Sequence, residues 1–337
     1  MKPGPRNSIT DVPGIAVGNA EDEKVRTGVT VILPDAPAVA AIDVRGGGTG
    51  TRDIALLDPA ATVERVDAIV LSGGSAFGLD AAGGVMSWLA ARGRGFVVGD
   101  AVVPIVPSAI LFDLSNGGDK SAFAQESGED LPYRELGRRA ARGAGVEFLL
   151  GNAGAGLGAT AGPLKGGLGS ASFMLENGAC IGALAAVNAA GSAVMPGSDR
   201  FWAWPFEQGD EFGGKGAPAG LPDTLDHDFS NPRMKKPGAN TTLAVVATDL
   251  TLTKAQAQRV AIMAQDGLAR ALRPVHTPLD GDIVFALSTG RRALADPIAE
   301  IAQLGTVAAD CLARAVARGV YVAQSLGDMR AYRDIYG

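Results

Sequence analysis

A threonine that follows a polar, glycine- and proline-rich segment and begins an apolar one has the clearest chemical potential in this chain. The polar segment ends at Asn240, and the residues from Thr241 to Asp249 favour a β-strand. If the Asn240–Thr241 peptide bond breaks, Thr241 gains a free α-amine beside its own hydroxyl. Such an amine titrates near pH ~8 and can act as the base that activates the hydroxyl. For these residues alone, the simpler interpretation is a loop that leads into an ordinary core strand.

Other polar residues stand in apolar surroundings, and each has a structural and a functional interpretation. Asn188 interrupts an apolar run, where a buried amide either finds core partners or serves as an oxyanion-hole donor. Asp280 and Asp282 flank a glycine directly before a predicted strand, where they form a turn or orient an amine and a hydroxyl. Lys165 lies in a glycine-rich stretch and could supply positive charge at a nucleophile. Together with Thr241, these groups form the set that N-terminal nucleophile hydrolysis requires.

The sequence does not match the motifs of common hydrolases or of cofactor-binding proteins. The chain has two histidines, His227 and His276, which makes a zinc site or a Ser-His-Asp enzyme a poor interpretation. The nucleophile-elbow pattern fails at residues 73–77, because the second glycine comes one position late. The glycines at 154 and 156 do not lead into an apolar helix, and Lys165 is not followed by a hydroxyl residue. We therefore expect neither a metal nor a cofactor.

Composition and charge limit the partners of the chain. It has 337 residues, of which 47% are hydrophobic and 20% charged, and its formal net charge is −6. Nothing in this pattern suggests binding to nucleic acid or to an anionic membrane surface. Cys180 and Cys311 lie in apolar stretches without metal or disulfide spacing, and the first residues show no secretory signal. We expect a cytoplasmic protein with a small-molecule substrate.

The order of predicted elements places strands early in the chain and alternates strands with helices later. This order suggests layered sheets flanked by helices, not an alternating doubly wound sheet. Residues 27–33 and 38–44 are predicted to pair as a hairpin around Pro34 and Asp35. The other predicted strands cover residues 8–18, 68–71, 96–106, 169–175, 180–193, 241–249 and 283–288. The predicted helices cover residues 78–91, 132–142, 253–272 and 297–318, and residues 201–236 form one long irregular segment.

Motifs spread over nearly the whole chain resemble the DmpA-like family of self-processing aminopeptidases, which includes β-peptidyl aminopeptidases and nylon-oligomer hydrolases. The motifs lie at residues 9–14, 71–79, 107–113, 165–169, 187–188, 240–242 and 280–282. The Asn-Thr-Thr and Asp-Gly-Asp forms at the last two positions are most similar to the nylon-oligomer branch. One departure is Phe112, where that branch has a tyrosine.

The resemblance implies a single catalytic domain over residues 1–337 with an αββα sandwich of the N-terminal-nucleophile-hydrolase type. It also implies self-cleavage between Asn240 and Thr241, with fragments 1–240 and 241–337 staying folded together. Thr241 then becomes the nucleophile, and the surrounding side chains are expected to be Lys165, Asn188, Asp280 and Asp282.

The same resemblance suggests how a substrate would be held. Asn188 and a backbone N–H near Gly74 and Ser75 are expected to stabilise the oxyanion, and Phe112 is expected to line the substrate site. The expected substrates are short peptides for an aminopeptidase or linear oligoamides for an endo-acting hydrolase. We also expect a homotetramer. The alternative is a non-catalytic small-molecule-binding or assembly protein with the same fold.

Overall fold

A computed structural model describes residues 1–124, 131–220 and 240–337. Part of the predicted irregular segment, including His227, lies outside these residues. The described strands are, in chain order, β1 (Ile15–Asp22), β2 (Thr27–Pro34), β3 (Ala38–Val44), β4 (Thr51–Arg52), β5 (Arg65–Val66), β6 (Ile69–Ser72), β7 (Phe96–Val98), β8 (Ala101–Val103), β9 (Ser108–Ile110), β10 (Thr160–Ala161), β11 (Leu164–Lys165), β12 (Gly167–Met174), β13 (Cys180–Asn188), β14 (Thr241–Leu250) and β15 (Ile283–Arg292).

The described helices are α1 (Ala81–Ala90), α2 (Tyr133–Arg142), α3 (Lys254–Ala271), α4 (Pro297–Val322) and α5 (Arg333–Tyr336). The two longest, α3 and α4, begin with the side-chain caps that the sequence predicts. The Thr253 side chain accepts from the Gln256 N–H, and the Gln256 side chain accepts in return from the Thr253 N–H, which confirms the capping box. The Asp296 carboxylate accepts from two N–H groups in the first turn of α4, directly before Pro297.

Two sheets lie face to face between two pairs of helices. One sheet has the order β1-β2-β6-β9-β4, and the other has the order β12-β13-β14-β15-β3-β5. An apolar core between the sheets contains residues of both, such as Ile32 and Leu71 from the first and Val245 and Phe285 from the second. Helices α1 and α2 cover the outer face of the first sheet, and α3 and α4 cover that of the second. The layers therefore run α, β, β, α, which confirms the expected sandwich.

Strand β14 lies near the centre of the second sheet and is buried along its whole length. Leu243 and Val245 belong to the core between the sheets, whereas Ala244 and Val246 face the helices. Since side chains alternate along a strand, Thr241 belongs to the face that points between the sheets. On the neighbouring strand Leu184 and the residues in step with it face the same core, so Asn188 shares that face.

The predicted hairpin at residues 27–44 is wrong. Strand β2 pairs with β1 and β6 in the first sheet, whereas β3 pairs with β15 and β5 in the second. The turn therefore carries the chain from one sheet to the other. The predicted first strand also begins later, because Ile9–Asp11 form a 3-10 turn capped by Ser8. The predicted strand at 96–106 is a short two-stranded hairpin of β7 and β8.

Candidate active site

The Asn240–Thr241 peptide bond lies at the buried start of β14. Thr241 is 2% exposed and Asn240 is 2% exposed. Thr241 pairs with Asn188 on the antiparallel strand β13, and Asn240 pairs with Asp280 in parallel register on the other side. The sheet thus places the predicted nucleophile, the predicted amide and the Asp-Gly-Asp segment side by side.

Two hydrogen-bond donors meet at the Asn240 carbonyl oxygen. The Thr241 hydroxyl donates to it at 2.5 Å, and the Gly281 N–H donates to it at 2.8 Å. Both donors withdraw electron density from the carbonyl carbon that a self-cleaving threonine would attack. The hydroxyl and the peptide group that it would attack are in contact in the intact chain.

The carboxylates of Asp280 and Asp282 are buried, and they fix the backbone around the bond. Asp282 accepts from the Thr242 N–H at 2.7 Å, directly after the predicted nucleophile. Asp280 accepts from the Ala190 N–H at 3.0 Å and from the Thr277 hydroxyl at 2.6 Å. Burial, together with the neighbouring Asp282, raises the pKa of Asp280 above its usual range. These carboxylates join the ends of β13 and β14 to the loop before β15.

Asn188 is buried and hydrogen-bonded on both sides of its amide. Its carbonyl oxygen accepts from the Thr160 N–H at 3.0 Å and from the Thr160 hydroxyl at 3.3 Å. Its Nδ2 donates to the Phe112 carbonyl oxygen at 3.1 Å. The side chain is thus held in one orientation beside Thr241. This orientation fits either a core amide whose hydrogen bonds are satisfied or an oxyanion-hole donor.

Lys165 is buried, and its ammonium lies against two backbone carbonyls. Its Nζ donates to the Gly166 oxygen at 2.8 Å and to the Gly156 oxygen at 2.9 Å. Burial lowers the pKa of Lys165 to about 7, and the Asp113 carboxylate opposes that shift. Lys165 pairs with Thr160 in the β10–β11 register, and the Thr160 N–H donates to the Asn188 side chain. Lys165 is therefore linked to Thr241 indirectly, through Thr160 and Asn188.

The backbone amides expected to stabilise an oxyanion at Gly74 and Ser75 are engaged elsewhere. The Gly74 N–H donates to the Asp113 carboxylate at 2.8 Å, and the Ser75 N–H donates to the Leu111 oxygen at 2.9 Å. Both residues have positive φ, and an added Cβ on Gly74 would lie 2.0 Å from a ring carbon of Tyr133. These contacts argue for a structural turn at this position, and the oxyanion role of its amides stays a prediction.

A small cavity of about 30 Å³ adjoins the junction. It is lined in part by Asn240, Asn188, Phe112, Thr160 and the carboxylate residue Asp113. The volume is close to that of one water molecule, and its lining is polar enough to hold one. Phe112 therefore lines the space beside the junction, and its role in a substrate site stays a prediction.

Sequence reasoning missed Asp113 as a separate candidate, although it lies in one of the motifs that carry the resemblance. Its carboxylate is buried and accepts from the Thr27 hydroxyl at 2.7 Å. Burial raises its pKa, and the hydrogen bond from Thr27 opposes that shift. Its charge acts on both Lys165 and the half-buried Lys120.

His276, which the sequence suggests only as a metal ligand or a triad base, contacts the Asp-Gly-Asp segment. The ring Nδ1 of His276 lies 2.9 Å from an oxygen of Asp282, and the backbone N–H of His276 donates to the same oxygen at 3.1 Å. The residue has a φ of 55°, a left-handed backbone that a histidine adopts at a cost. Its position six residues before Asp282 was the signal available in the sequence. Within the described ranges, no three His, Cys, Asp or Glu side chains gather as a metal site would require.

Solved structures with this architecture are known. An L-aminopeptidase D-Ala-esterase/amidase from Ochrobactrum anthropi, described as a variant of the Ntn-hydrolase fold, superposes with a TM-score of 0.72 over 98% of this chain and 90% of that chain, at 22% identity. A β-aminopeptidase from Burkholderia superposes with a TM-score of 0.69 over 98% of this chain and 90% of that chain, also at 22% identity. The chain therefore has the Ntn-hydrolase type of fold.

Sequence comparison assigns the family. The model of Peptidase family S58 matches residues 7–332, and the chain belongs to that family. An uncharacterized aminopeptidase of Mycobacterium tuberculosis is 44% identical over 98% of both chains. A 6-aminohexanoate-oligomer endohydrolase of Kocuria is 30% identical over 83% of this chain and 74% of the relative. The chain is a peptide-bond hydrolase, and the alternative of a non-catalytic binding protein is not favoured.

Proposed function

We propose that the chain cleaves itself between Asn240 and Thr241 and that the freed Thr241 then hydrolyses amide bonds in short peptides or linear oligoamides. The observation that carries the proposal is the contact between the Thr241 hydroxyl and the Asn240 carbonyl, 2.5 Å between oxygens. A hydroxyl held against the preceding peptide group has a very high effective concentration for attack on it.

Self-cleavage follows from this contact in two steps. The Thr241 oxygen bonds to the Asn240 carbonyl carbon, the carbon–nitrogen bond breaks, and the nitrogen adds the proton of the hydroxyl to the hydrogen that it already carries, which makes it the new α-amine. The result is an ester that joins the Asn240 carbonyl to the Thr241 side chain. Water then attacks the ester, which releases the Asn240 carboxylate and restores the hydroxyl.

The mature enzyme would repeat the same chemistry on a substrate. The Thr241 α-amine accepts the hydroxyl proton while the oxygen attacks the substrate carbonyl, and the leaving amine takes a proton as it departs. Water then hydrolyses the acyl-threonine ester. In this scheme Asp282 and Asp280 hold the strand ends, and Asn188 adjoins the nucleophile. Lys165, which pairs with the Thr160 that bonds Asn188, would in its charged form favour the unprotonated α-amine.

The fold offers strong support for fragments that stay together. Strand β14 would begin the second fragment and pairs with β13 of the first, from Thr241 opposite Asn188 to Thr248 opposite Ile181. A buried ion pair also crosses the two fragments, because Arg314 Nε on α4 donates to Glu211 at 2.6 Å. Breaking such a pair is costly, so we expect the halves to remain one folded unit.

Variants of Thr241 test the proposal. Thr241→Ala lacks the hydroxyl and should run as one intact chain on a denaturing gel, without amide hydrolase activity. Thr241→Ser keeps the hydroxyl and is the matched control, which should give two bands and retain activity. Two bands from the alanine variant would refute the assignment of Thr241.

Two substrate preferences remain to be separated within this proposal. Relatives of both kinds, the aminopeptidase of Mycobacterium tuberculosis and the oligomer endohydrolase of Kocuria, cover most of this chain. An exo-acting aminopeptidase needs a free substrate amine, whereas an endo-acting hydrolase does not. Initial rates on an amide oligomer with a free N-terminus and on its N-acetylated form will decide between them.

We further propose a homotetramer that works in the cytoplasm. The support for assembly is apolar surface, since Ile298 is 85% exposed and Leu149 is 78% exposed. The support for a reducing compartment is that Cys180 and Cys311 are buried free thiols. Light scattering on the purified protein tests the assembly, and fractionation of source cells tests the compartment. None of the helices in the described ranges has the length and apolar character needed to cross a bilayer.

A further inference from the structure

The backbone N–H of Gly281 lies where negative charge must develop during self-cleavage. The N–H lies 2.8 Å from the Asn240 carbonyl oxygen, and attack on that carbonyl turns its oxygen into an oxyanion. We propose that the Gly281 N–H is an oxyanion donor of the catalytic centre, in self-cleavage and in substrate turnover. This inference rests on the proposed function, and it assigns one group that stabilises the oxyanion in that reaction.

Close packing explains why this donor comes from a glycine. An added Cβ on Gly281 would lie 2.6 Å from the Thr241 hydroxyl oxygen and 2.7 Å from the Gly48 carbonyl oxygen. Any side chain at this position would therefore collide with the nucleophile itself. A backbone amide can reach the reacting carbonyl here only if it carries no side chain.

The amide is held in place before the reaction begins. Its neighbours Asp280 and Asp282 are both buried, and their carbonyl oxygens accept from the 45–48 segment, at 2.8 Å from the Gly48 N–H and at 3.2 Å from the Gly46 N–H. A donor that is fixed in advance stabilises a developing charge without the cost of reorganisation. The glycine cluster at residues 46–48 thus supports the segment that carries the donor.

The same donor is positioned to act on substrates. The ester formed in self-cleavage is an acyl-threonine whose acyl group is the first fragment, so it has the bonding of the later acyl-enzyme. Gly281 and Thr241 belong to the same fragment and lie on adjacent parallel segments, so cleavage does not separate them. The carbonyl oxygen of each later acyl group can therefore occupy the position that Asn240 occupies now.

A backbone ester tests the donor directly. Glycolic acid in place of Gly281 removes the N–H and adds no side chain, and it can be introduced by nonsense suppression. This ester also weakens the Asp280 carbonyl as an acceptor for the Gly48 N–H. Glycolic acid in place of Gly48 is the matched control, because it removes that supporting bond and leaves the donor intact.

We expect the ester at 281 to slow self-cleavage by about 10²–10³-fold, the usual loss for one oxyanion donor, and the ester at 48 to slow it by less than about tenfold. Material that has finished processing should show the same contrast in kcat on an amide substrate. Similar rates for both esters in either reaction would overturn the inference while leaving self-cleavage in place. A wild-type chain that stays intact would overturn the proposed function, and this inference with it.

Discussion

The hydroxyl oxygen of Thr241 lies 2.5 Å from the carbonyl oxygen of Asn240, the residue that precedes it. The contact is buried at the start of a central strand, with Asn188 on one side and Asp280 on the other. Nucleophile and scissile bond are thus held together by the register of the sheet.

Replacing Asn188 with alanine should slow turnover while the protein still folds. The substitution removes the Nδ2 donor, and it leaves the Thr160 N–H without its acceptor at 3.0 Å. If Asn188 is an oxyanion donor, kcat should fall by about 10²-fold, the usual loss for one such donor, with a loss of stability of about 1–3 kcal/mol. Thr160→Val is the control, since it removes only the longer 3.3 Å bond to the same oxygen. Unchanged kinetics for Asn188→Ala would remove this residue from the site.

Replacing Gly46 with alanine should slow self-cleavage by displacing the Asp-Gly-Asp segment. An added Cβ would lie 2.2 Å from the Asp282 backbone nitrogen, so that segment must move. Misplacement by about 1 Å can cost about 10²-fold in rate, and we expect a loss of about 10- to 100-fold. Gly145→Ala is the matched control, because the nearest atom to its added Cβ is 3.8 Å away. A time course on denaturing gels measures both, and equal rates would contradict the prediction.

Replacing Lys165 with methionine should change how stability depends on pH. Burial lowers the pKa of Lys165 to about 7, whereas an unfolded lysine keeps its proton to about pH 10. Between these values the unfolded chain binds more protons, so the stability contributed by this group rises with pH and is lowest below about pH 7. As the pH increases through this window, the free energy of unfolding of the protein that keeps Lys165 should therefore rise relative to that of Lys165→Met. The rise should be up to about 1.4 kcal/mol per pH unit.

The Lys165 comparison is best made in chains that carry Thr241→Ala, so that both proteins remain intact. Denaturant unfolding at several pH values between about 7 and 10 gives the difference in stability. Loss of the Lys165 hydrogen bonds to Gly156 and Gly166 shifts the free energy of unfolding of the methionine variant by the same amount at every pH, so it does not change the slope against pH. Parallel curves for the two proteins would show that the Lys165 amine does not titrate in this window.

Local patterns in the sequence predicted much of the fold and the candidate site. Alternation and apolar runs identified the strands that carry Thr241 and Asn188, and the Asp-Gly-Asp segment lies directly before β15 as expected. The wrong hairpin at residues 27–44 shows the limit of such reasoning. A turn can join two strands of one sheet or two sheets, and only the packing of distant residues decides which.

Other parts of the site have no local signature. The Gly281 donor is a backbone amide, which every residue except proline possesses, so its role depends on where Asn240 lies in space. Asp113 and His276 were missed for a related reason. Their partners, Thr27 and Asp282, are brought to them by the fold, and Thr27 is far away in the sequence.

Intact-mass spectrometry of the wild-type protein, with N-terminal sequencing of any fragment, tests the central claim most directly. Self-cleavage predicts two polypeptides in equal amounts, residues 1–240 and a chain that begins with the free α-amine of Thr241, and it predicts a single full-length mass for Thr241→Ala. A wild-type protein that is fully active while it remains one polypeptide of 337 residues would contradict the account.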